Sequence, residues 1–391
     1  MSRVFPDTLK IRDQFPIFRE RPDLIFLDSA STTQKLGKAI DVITSFYTKE
    51  NTNVGRSLST LDVIAQRKIA RIREQASVHI GAPTPESIFF SFGASHSMRG
   101  VTNMFFEQLL QDGDEILVSP SDHQSYVQPW YEVAAVYAAL GKRVKIVELI
   151  VSKNGQIDWA DLKSKVTART RLVNLTHIHN VYGNASEILY NSEKIAFLKS
   201  RNIIIQVDGA QSLSKAVIDV EGMGIDVLHT SGHKAFAAQG VGVVFLRPTL
   251  FSNPGRLFEG TPHVAGIYSL GAFFDFAAEI GMAQIEAVVE EVTKYTYEGM
   301  RSIPSVVFTT GIAQCGCNSG NGILSFTLSG ASSVEVGQYL NQHTIYVRSG
   351  THCNFDPINI GDSVRVSVHA YTSKQDIDTY LDVLHTFSNA L

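Results

Sequence analysis

The sequence predicts an α/β protein with a mixed seven-stranded sheet in a large domain and a smaller α+β domain at the C-terminal end. Three observations predict it. The middle of the chain alternates short β-branched runs with longer amphipathic stretches, which is the pattern of βαβ units. Most connections between those runs are long enough for a crossover helix, but 232–241 is not, so the last strand of the sheet is expected to lie antiparallel to its neighbour. After 246 the texture changes to a turn-rich passage and then to a shorter alternation of strand and helix periods.

Taken in order, the apolar runs at 87–92, 115–119, 143–149, 171–178, 202–207, 226–230 and 242–246 read as strands. The stretches 128–140, rich in Ala, Val and Tyr, and 192–200 fit crossover helices. Pro248, Asn253-Pro254-Gly255 and Gly260-Thr261-Pro262 mark the turn-rich passage, which leads into one long connecting helix over 268–292. Segments 322–328, 333–341, 345–347, 363–368 and 373–388 then alternate strand and helix patterns. The expected division is an N-terminal segment 1–25 that packs with the small domain, a large domain 26–270 and a small domain 271–391.

Composition narrows the function. The 391 residues carry 34 Lys+Arg and 38 Asp+Glu, a formal net charge of −4, with no block of like charges, so nucleic acid is not an expected partner. Hydrophobic residues make up 44% of the chain, yet no apolar run reaches the roughly 18 residues of a membrane span. Charged residues interrupt 1–18, which lacks the apolar core of a signal peptide, and a soluble cytoplasmic protein is expected. Three cysteines cannot build a disulfide framework. Cys315 and Cys317 lie in a Gly/Asn/Ser-rich stretch without a second ligand pair, and His177 and His179 have no third ligand nearby, so no metal site is expected.

The chemistry concentrates around two strand ends. The run Ile203-Ile-Ile-Gln-Val207 delivers Asp208 at its C-terminal end, where open α/β sheets place ligands, and the next strand delivers Ser231, His233 and Lys234 to the same edge. A carboxylate about 26 positions before a lysine, both at strand ends, suits a pyridoxal phosphate site. The lysine forms the Schiff base, and the carboxylate pairs with the protonated pyridine nitrogen. Gly93-Ala-Ser-His96 ends a strand and opens a helical stretch, a reasonable anion site. Cys353, in Arg348-Ser-Gly-Thr-His-Cys353, follows a glycine that suggests a tight loop and precedes a polar run. Flanking His352 and Arg348 are expected to lower its thiol pKa.

From Phe26-Leu-Asp-Ser-Ala30 to Thr372 the sequence resembles the fold-type I, class V aminotransferase family of pyridoxal phosphate enzymes. Within it, the likeness is to the group II cysteine desulfurases and selenocysteine lyases. The resemblance implies Lys234 as the Schiff-base lysine, Asp208 on the pyridine nitrogen, Gln211 near the ring hydroxyl and His123 stacked on the ring. It places Asn180 near the cofactor and the substrate carboxylate, and Ala94, Ser95, Ser231 and His233 at the phosphate. Thr261 would reach the phosphate from the other subunit, which implies a homodimer.

Arg348-x-Gly-x-His-Cys353 fits the group II pattern, with Arg348 at the substrate and Cys353 receiving sulfur, while Arg365 would fork onto the substrate α-carboxylate. The implied reaction removes sulfur or selenium from cysteine or selenocysteine, leaving alanine and a persulfide on Cys353. A sulfur-acceptor protein is the implied further partner.

The sequence also departs from that pattern. Asn53-Val-Gly-Arg-Ser57 stands in place of a His-Arg-Gly-x-His segment, and Ala94 and His96 stand where threonine and glutamate are usual. Ser31 replaces an alanine beside the expected substrate site, and 247–258 is too short for a glycine-rich Gly-Gly-Gly-Met segment, so a more open or reshaped pocket is expected. The rival readings are a C–S lyase, or another elimination or transamination enzyme acting on a larger amino acid, and a non-catalytic member of the family.

Overall fold

The computed structural model describes residues 8–55, 58–152, 155–255, 260–309, 321–356 and 361–391. The chain enters through helices α1 (Thr8–Arg12) and α2 (Ile17–Glu20), strand β1 (Ile25–Phe26) and helices α3 (Gly37–Ser45) and α4 (Thr60–His79). Strands and helices then alternate: β2 (Ile88–Ser91), α5 (Ala94–Gln108), β3 (Glu115–Val118), α6 (Gln124–Ala139), β4 (Lys145–Glu148) and α7 (Trp159–Lys165). They continue as β5 (Thr170–Thr176), α8 (Ser192–Lys199), β6 (Ile204–Asp208), β7 (Val227–His229) and β8 (Gly242–Leu246).

Strands β2 to β8 form one seven-stranded sheet in the order 2-8-7-6-5-3-4. β8 runs antiparallel to both β2 and β7, and the remaining pairs are parallel. The mixed sheet and its short antiparallel connection agree with the sequence reading. Period-two alternation sorts the strand residues onto two covered faces. Leu117, Val173, Val207, Leu228 and Phe245 join one apolar cluster, and their neighbours Ile116, Leu172, Val227 and Leu246 join the other. Both faces are buried, which is why these strands read as continuous apolar runs.

The expected single helix over 268–292 is two helices, α9 (Val264–Ile280) and α10 (Met282–Arg301), meeting at an angle of 84°. Gly281 sits at the joint with φ 86°, a conformation that glycine adopts without the Cβ penalty other residues meet. The apolar period continues through the bend, so periodicity alone did not reveal it. No single helix among the described residues is long and apolar enough to cross a membrane. The helix expected at 128–140 starts earlier, at Gln124, because the His123 side chain caps it by accepting from the Ser125 backbone N–H.

Beyond α10, strands β9 (Val306–Phe308), β10 (Ile323–Leu328), β12 (Arg348–Gly350) and β13 (Ser363–Ser367) form an antiparallel sheet in the order 12-13-10-9. Helices Ser333–Gln342 and Lys374–Asn389 accompany it, each opened by a serine capping box. β11 (Ile345–Tyr346) pairs in parallel with β1, tying the start of the chain to its end. Phe15, which is 1% exposed, packs edge-on against both Phe236 and Tyr371. Arg12 donates to the Tyr371 carbonyl and to Asp376.

One glycine fixes the spacing between β8 and the turn after β2. A Cβ on Gly242 would lie 2.3 Å from the Thr230 carbonyl oxygen and 3.0 Å from the Gly93 Cα, both backbone atoms that cannot swing aside. Gly242→Ala is therefore expected to destabilise the fold by about 1–3 kcal/mol, as overpacked cores do. Urea unfolding checks it, and a change below about 0.5 kcal/mol would show that the strands can separate without cost.

Candidate active site

The C-terminal ends of the parallel strands converge on one cavity of ≈ 260 Å³. Thr176 ends β5 and Asp208 ends β6, and the two are paired across the sheet. Ser231, His233 and Lys234 follow β7, Ala94 and Ser95 follow β2, and His123 follows β3. The small domain closes the other side with Arg348, His352, Cys353 and Arg365. Arg348 and Arg365 are directly opposed across β12 and β13, so their side chains rise from the same face.

Of the residues singled out in the sequence, Ala94, Ser95, His123, Asn180, Asp208, Gln211, Ser231, His233, Lys234, Arg348, Cys353 and Arg365 all line this cavity. Thr261 does not. It is exposed and its hydroxyl donates to Asn53 within the same chain. Cys315 and Cys317 lie outside the described residues, as do residues 256–259 of the shortened 247–258 stretch. His177 and His179 lie just past the end of β5, engaged with the Tyr190 hydroxyl and the Ser121 carbonyl, and no metal-binding cluster occurs among the described residues.

Lys234 is buried, and that burial brings its amine down to about 8, a shift opposed by Asp208 and reinforced by Arg365. Burial raises the Asp208 carboxyl, while the Ala210 N–H at 2.8 Å and the Lys234 charge favour its ionised form. His123 and His233 are both lowered to about 4, chiefly by burial, and are neutral at pH 7. The His123 Nδ1 accepts from the Ser125 N–H at 3.2 Å, which leaves Nε2 to carry the proton.

The loop bearing Cys353 is held from both sides. Its carbonyl accepts from the Gln124 N–H at 2.9 Å, the Phe355 N–H donates to the Asp122 carbonyl at 2.9 Å, and the Asn180 amide donates to the His352 carbonyl at 2.9 Å. His352 and Cys353 both sit in left-handed backbone, at φ 57° and 61°. Two non-glycine residues in that region store local strain, which the docking bonds sustain, and the thiol is thereby set out as an exposed group at the cavity mouth.

One expectation is corrected here. His352 is buried, bonded to the Ser363 hydroxyl at 2.9 Å and lowered to about 3, so it brings no positive charge to the thiol. Asn180, expected near the cofactor and the substrate carboxylate, lines the cavity, and its amide donates to the His352 carbonyl of the Cys353 loop.

Sequence reasoning missed several residues at this site. Thr176 lines the cavity, but the predicted strand ran on to 178 and hid its position at a strand end. Asp122, pushed up to about 8 by burial and by neighbouring Asp208, lies immediately before His123. Asp28 stood inside a quoted motif without a role, yet its carboxylate lies 3.4 Å from Arg365.

The residues fit pyridoxal phosphate. Gln211 and Arg365 line the cavity beside Lys234 and Asp208, and each carries a buried polar atom, Oε1 and Nε, with no hydrogen-bond partner among the described residues. At the N-terminus of the 15-residue helix α5 the Ala94 N–H donates to the Ser231 hydroxyl at 3.1 Å, which leaves the following orphan N–H groups of the first turn, beside the Ser95 side chain, for an anion.

A family model described as Aminotransferase class-V matches residues 25–380. The chain belongs to that family. It is a family of pyridoxal-phosphate-dependent enzymes, which agrees with the donors around the cavity. A probable cysteine desulfurase of Vibrio cholerae serotype O1 is 28% identical, over 96% of this chain and 97% of its own. A cysteine desulfurase of Pectobacterium carotovorum is 27% identical over 94% and 95%. Among solved structures, the apo cysteine desulfurase of Thermococcus onnurineus NA1 superposes with a TM-score of 0.87 at 26% identity, covering 98% of each chain.

Proposed function

We propose that this class-V aminotransferase family member is a cytoplasmic cysteine desulfurase that takes sulfur, or selenium, from L-cysteine or selenocysteine and leaves it as a persulfide (or selenium adduct) on Cys353. The observation that carries the reading is the meeting of an exposed thiol, Cys353, with Lys234 and Arg365 around one cavity. The names of the full-length relatives support it.

Bound pyridoxal phosphate would supply an electron sink for the charge released at the substrate Cα. Lys234 would hold the cofactor and, once displaced by the substrate amine, take the Cα proton. An amine lowered to about 8 is neutral in about one molecule in ten at pH 7, far more than an ordinary lysine, and that fraction is available for the task. Asp208 would hold the proton on the ring nitrogen, with Gln211 at the ring hydroxyl. His123, neutral and carrying its proton on Nε2, would stack on the ring. Ala94, Ser95, Ser231 and His233 would bind the phosphate. Arg365, with Arg348 beside it, would fix the substrate carboxylate.

In the sulfur-transfer step the Cys353 thiolate attacks the substrate sulfur. The new S–S bond forms as the Cβ–S bond breaks, the bonding pair stays on the carbon side, and protonation there yields alanine.

Thr261, exposed and outside the lining of its own chain's cavity, suits donation to the phosphate of a second copy, so the active unit would be a homodimer. A sulfur-acceptor protein would then take the persulfide from the exposed Cys353. The same reading divides the chain into residues 1–25, 26–270 and 271–391, and the bonds from Arg12 to Tyr371 and Asp376 support packing of the first segment on the last.

The test is the Cys353→Ala variant, loaded with cofactor and given L-cysteine. Alanine formation is expected to fall by about 10²-fold or more, and mass spectrometry should find the persulfide in the parent protein only. Full turnover without Cys353, or pyruvate and ammonia as the products, would replace this reading with an elimination reaction.

A further inference from the structure

The arginine proposed to hold the substrate carboxylate has a counter-ion inside its own chain. Arg365 is 4% exposed. One terminal nitrogen donates to the Asn180 carbonyl at 3.0 Å. The other lies 2.8 Å from the Ser31 hydroxyl and 3.4 Å from Asp28 Oδ1. Nε, also buried and on the cavity side chain, has no partner among the described residues. A direct guanidinium–carboxylate bond is normally about 2.7–2.9 Å, so the Arg365–Asp28 contact is a loose one.

Ser31 accounts for the looseness. Its hydroxyl has a single proton, and that proton goes to Asp28 Oδ1 over 2.6 Å. The oxygen lone pairs therefore face Arg365, and the hydroxyl stands as a spacer that gives Asp28 a neutral donor and Arg365 a neutral acceptor. Ser31 itself lines the cavity.

We propose that Ser31 is a positioning residue that sets the affinity of this site for amino-acid carboxylates, by occupying Asp28 and keeping Arg365 available to the substrate. The proposal rests on Arg365 being the carboxylate site. Without the hydroxyl, Asp28 loses its short bond, and the donor left in contact with its carboxylate is the buried Arg365 guanidinium. The two then close into a full ion pair that a substrate must break, and amino-acid binding weakens while the chemical step stays as it was.

The experiment measures binding of L-alanine, the expected product, to cofactor-loaded protein by calorimetry, together with KM and kcat for L-cysteine and a thermal melt for each variant. Ser31→Ala is expected to bind about 10-fold more weakly and to raise KM with little change in kcat. Ser31→Thr, which keeps a hydroxyl, should bind as the parent does. Removing the charge as well, in the Ser31→Ala/Asp28→Asn double variant, should restore binding.

Arg365→Ala reports separately on the underlying assignment. If it binds L-alanine as the parent does, Arg365 is not the carboxylate site. If Arg365→Ala loses affinity while Ser31→Ala does not, or if the double variant stays as weak as Ser31→Ala, the spacer role is wrong. A fall in kcat for Ser31→Ala at unchanged KM would overturn it as well.

Discussion

Lys234→Ala is expected to reduce turnover of L-cysteine by at least about 10³-fold, because one change removes both the covalent anchor of the cofactor and the base for the Cα proton. The fold should survive it. The Lys234 amine is buried beside Asp208 and Arg365, and its burial outweighs the favourable charge of Asp208, so the methyl that replaces it removes a cation held at a cost. The melting temperature of the cofactor-free variant should therefore equal or exceed that of the parent. The visible absorbance of the lysine-bound cofactor should vanish from the variant, and borohydride should no longer fix the cofactor to the chain. Retained turnover, or cofactor still fixed covalently, would mean that Lys234 is not the anchor.

The second large effect concerns stability. Lys215 is 1% exposed, its Nζ has no partner among the described residues, and it sits against Gly322 of the small domain. Burial brings its amine to about 7, with Arg365 and Lys234 adding to the fall and Asp28 opposing it. His369, itself buried and neutral, faces it from the segment after β13. The folded-state value lies below the unfolded value of 10.5, so the unfolded chain binds the extra proton between those limits.

This group therefore destabilises the fold fully below pH 7, and the penalty fades as pH rises toward the unfolded pKa. Lys215→Met is expected to stabilise the protein by up to about 4 kcal/mol at pH 6 and by clearly less at pH 9. Urea unfolding at the two pH values checks the sign. A variant less stable than the parent at pH 6, or a gain that does not shrink at pH 9, would show that Lys215 has found a compensating partner.

Much of this site was legible in the sequence because the physics that places it is local. Asp208 and Lys234 each follow a run of apolar residues, and a parallel sheet brings the C-terminal ends of such runs to one edge. The Cys353 segment was legible for a similar reason, since Gly350 and the polar residues around it mark a loop. The errors have physical causes as well. The bend at Gly281 lies within an unbroken apolar pattern. His352 carried the expectation of a charged neighbour for the thiol, but its burial against Ser363 keeps it neutral, and burial depends on residues far away in sequence.

Asp28 and Arg365 are 337 positions apart, and no spacing rule connects them. Their meeting depends on an isolated bridge between Asp28 and Ser367, which lays the start of the chain against β13.

The sequence by itself therefore determined the α/β class and the antiparallel final pair of the large sheet, and it singled out the candidate lysine, carboxylate and thiol. Each follows from periodicity or motif within a few tens of residues. Only the tertiary structure decided which of these groups is charged, which donor each one keeps, and that Ser31 stands between Asp28 and Arg365. Those properties come from burial and from contacts between distant segments, and both exist only once the two sheets have closed on the cavity.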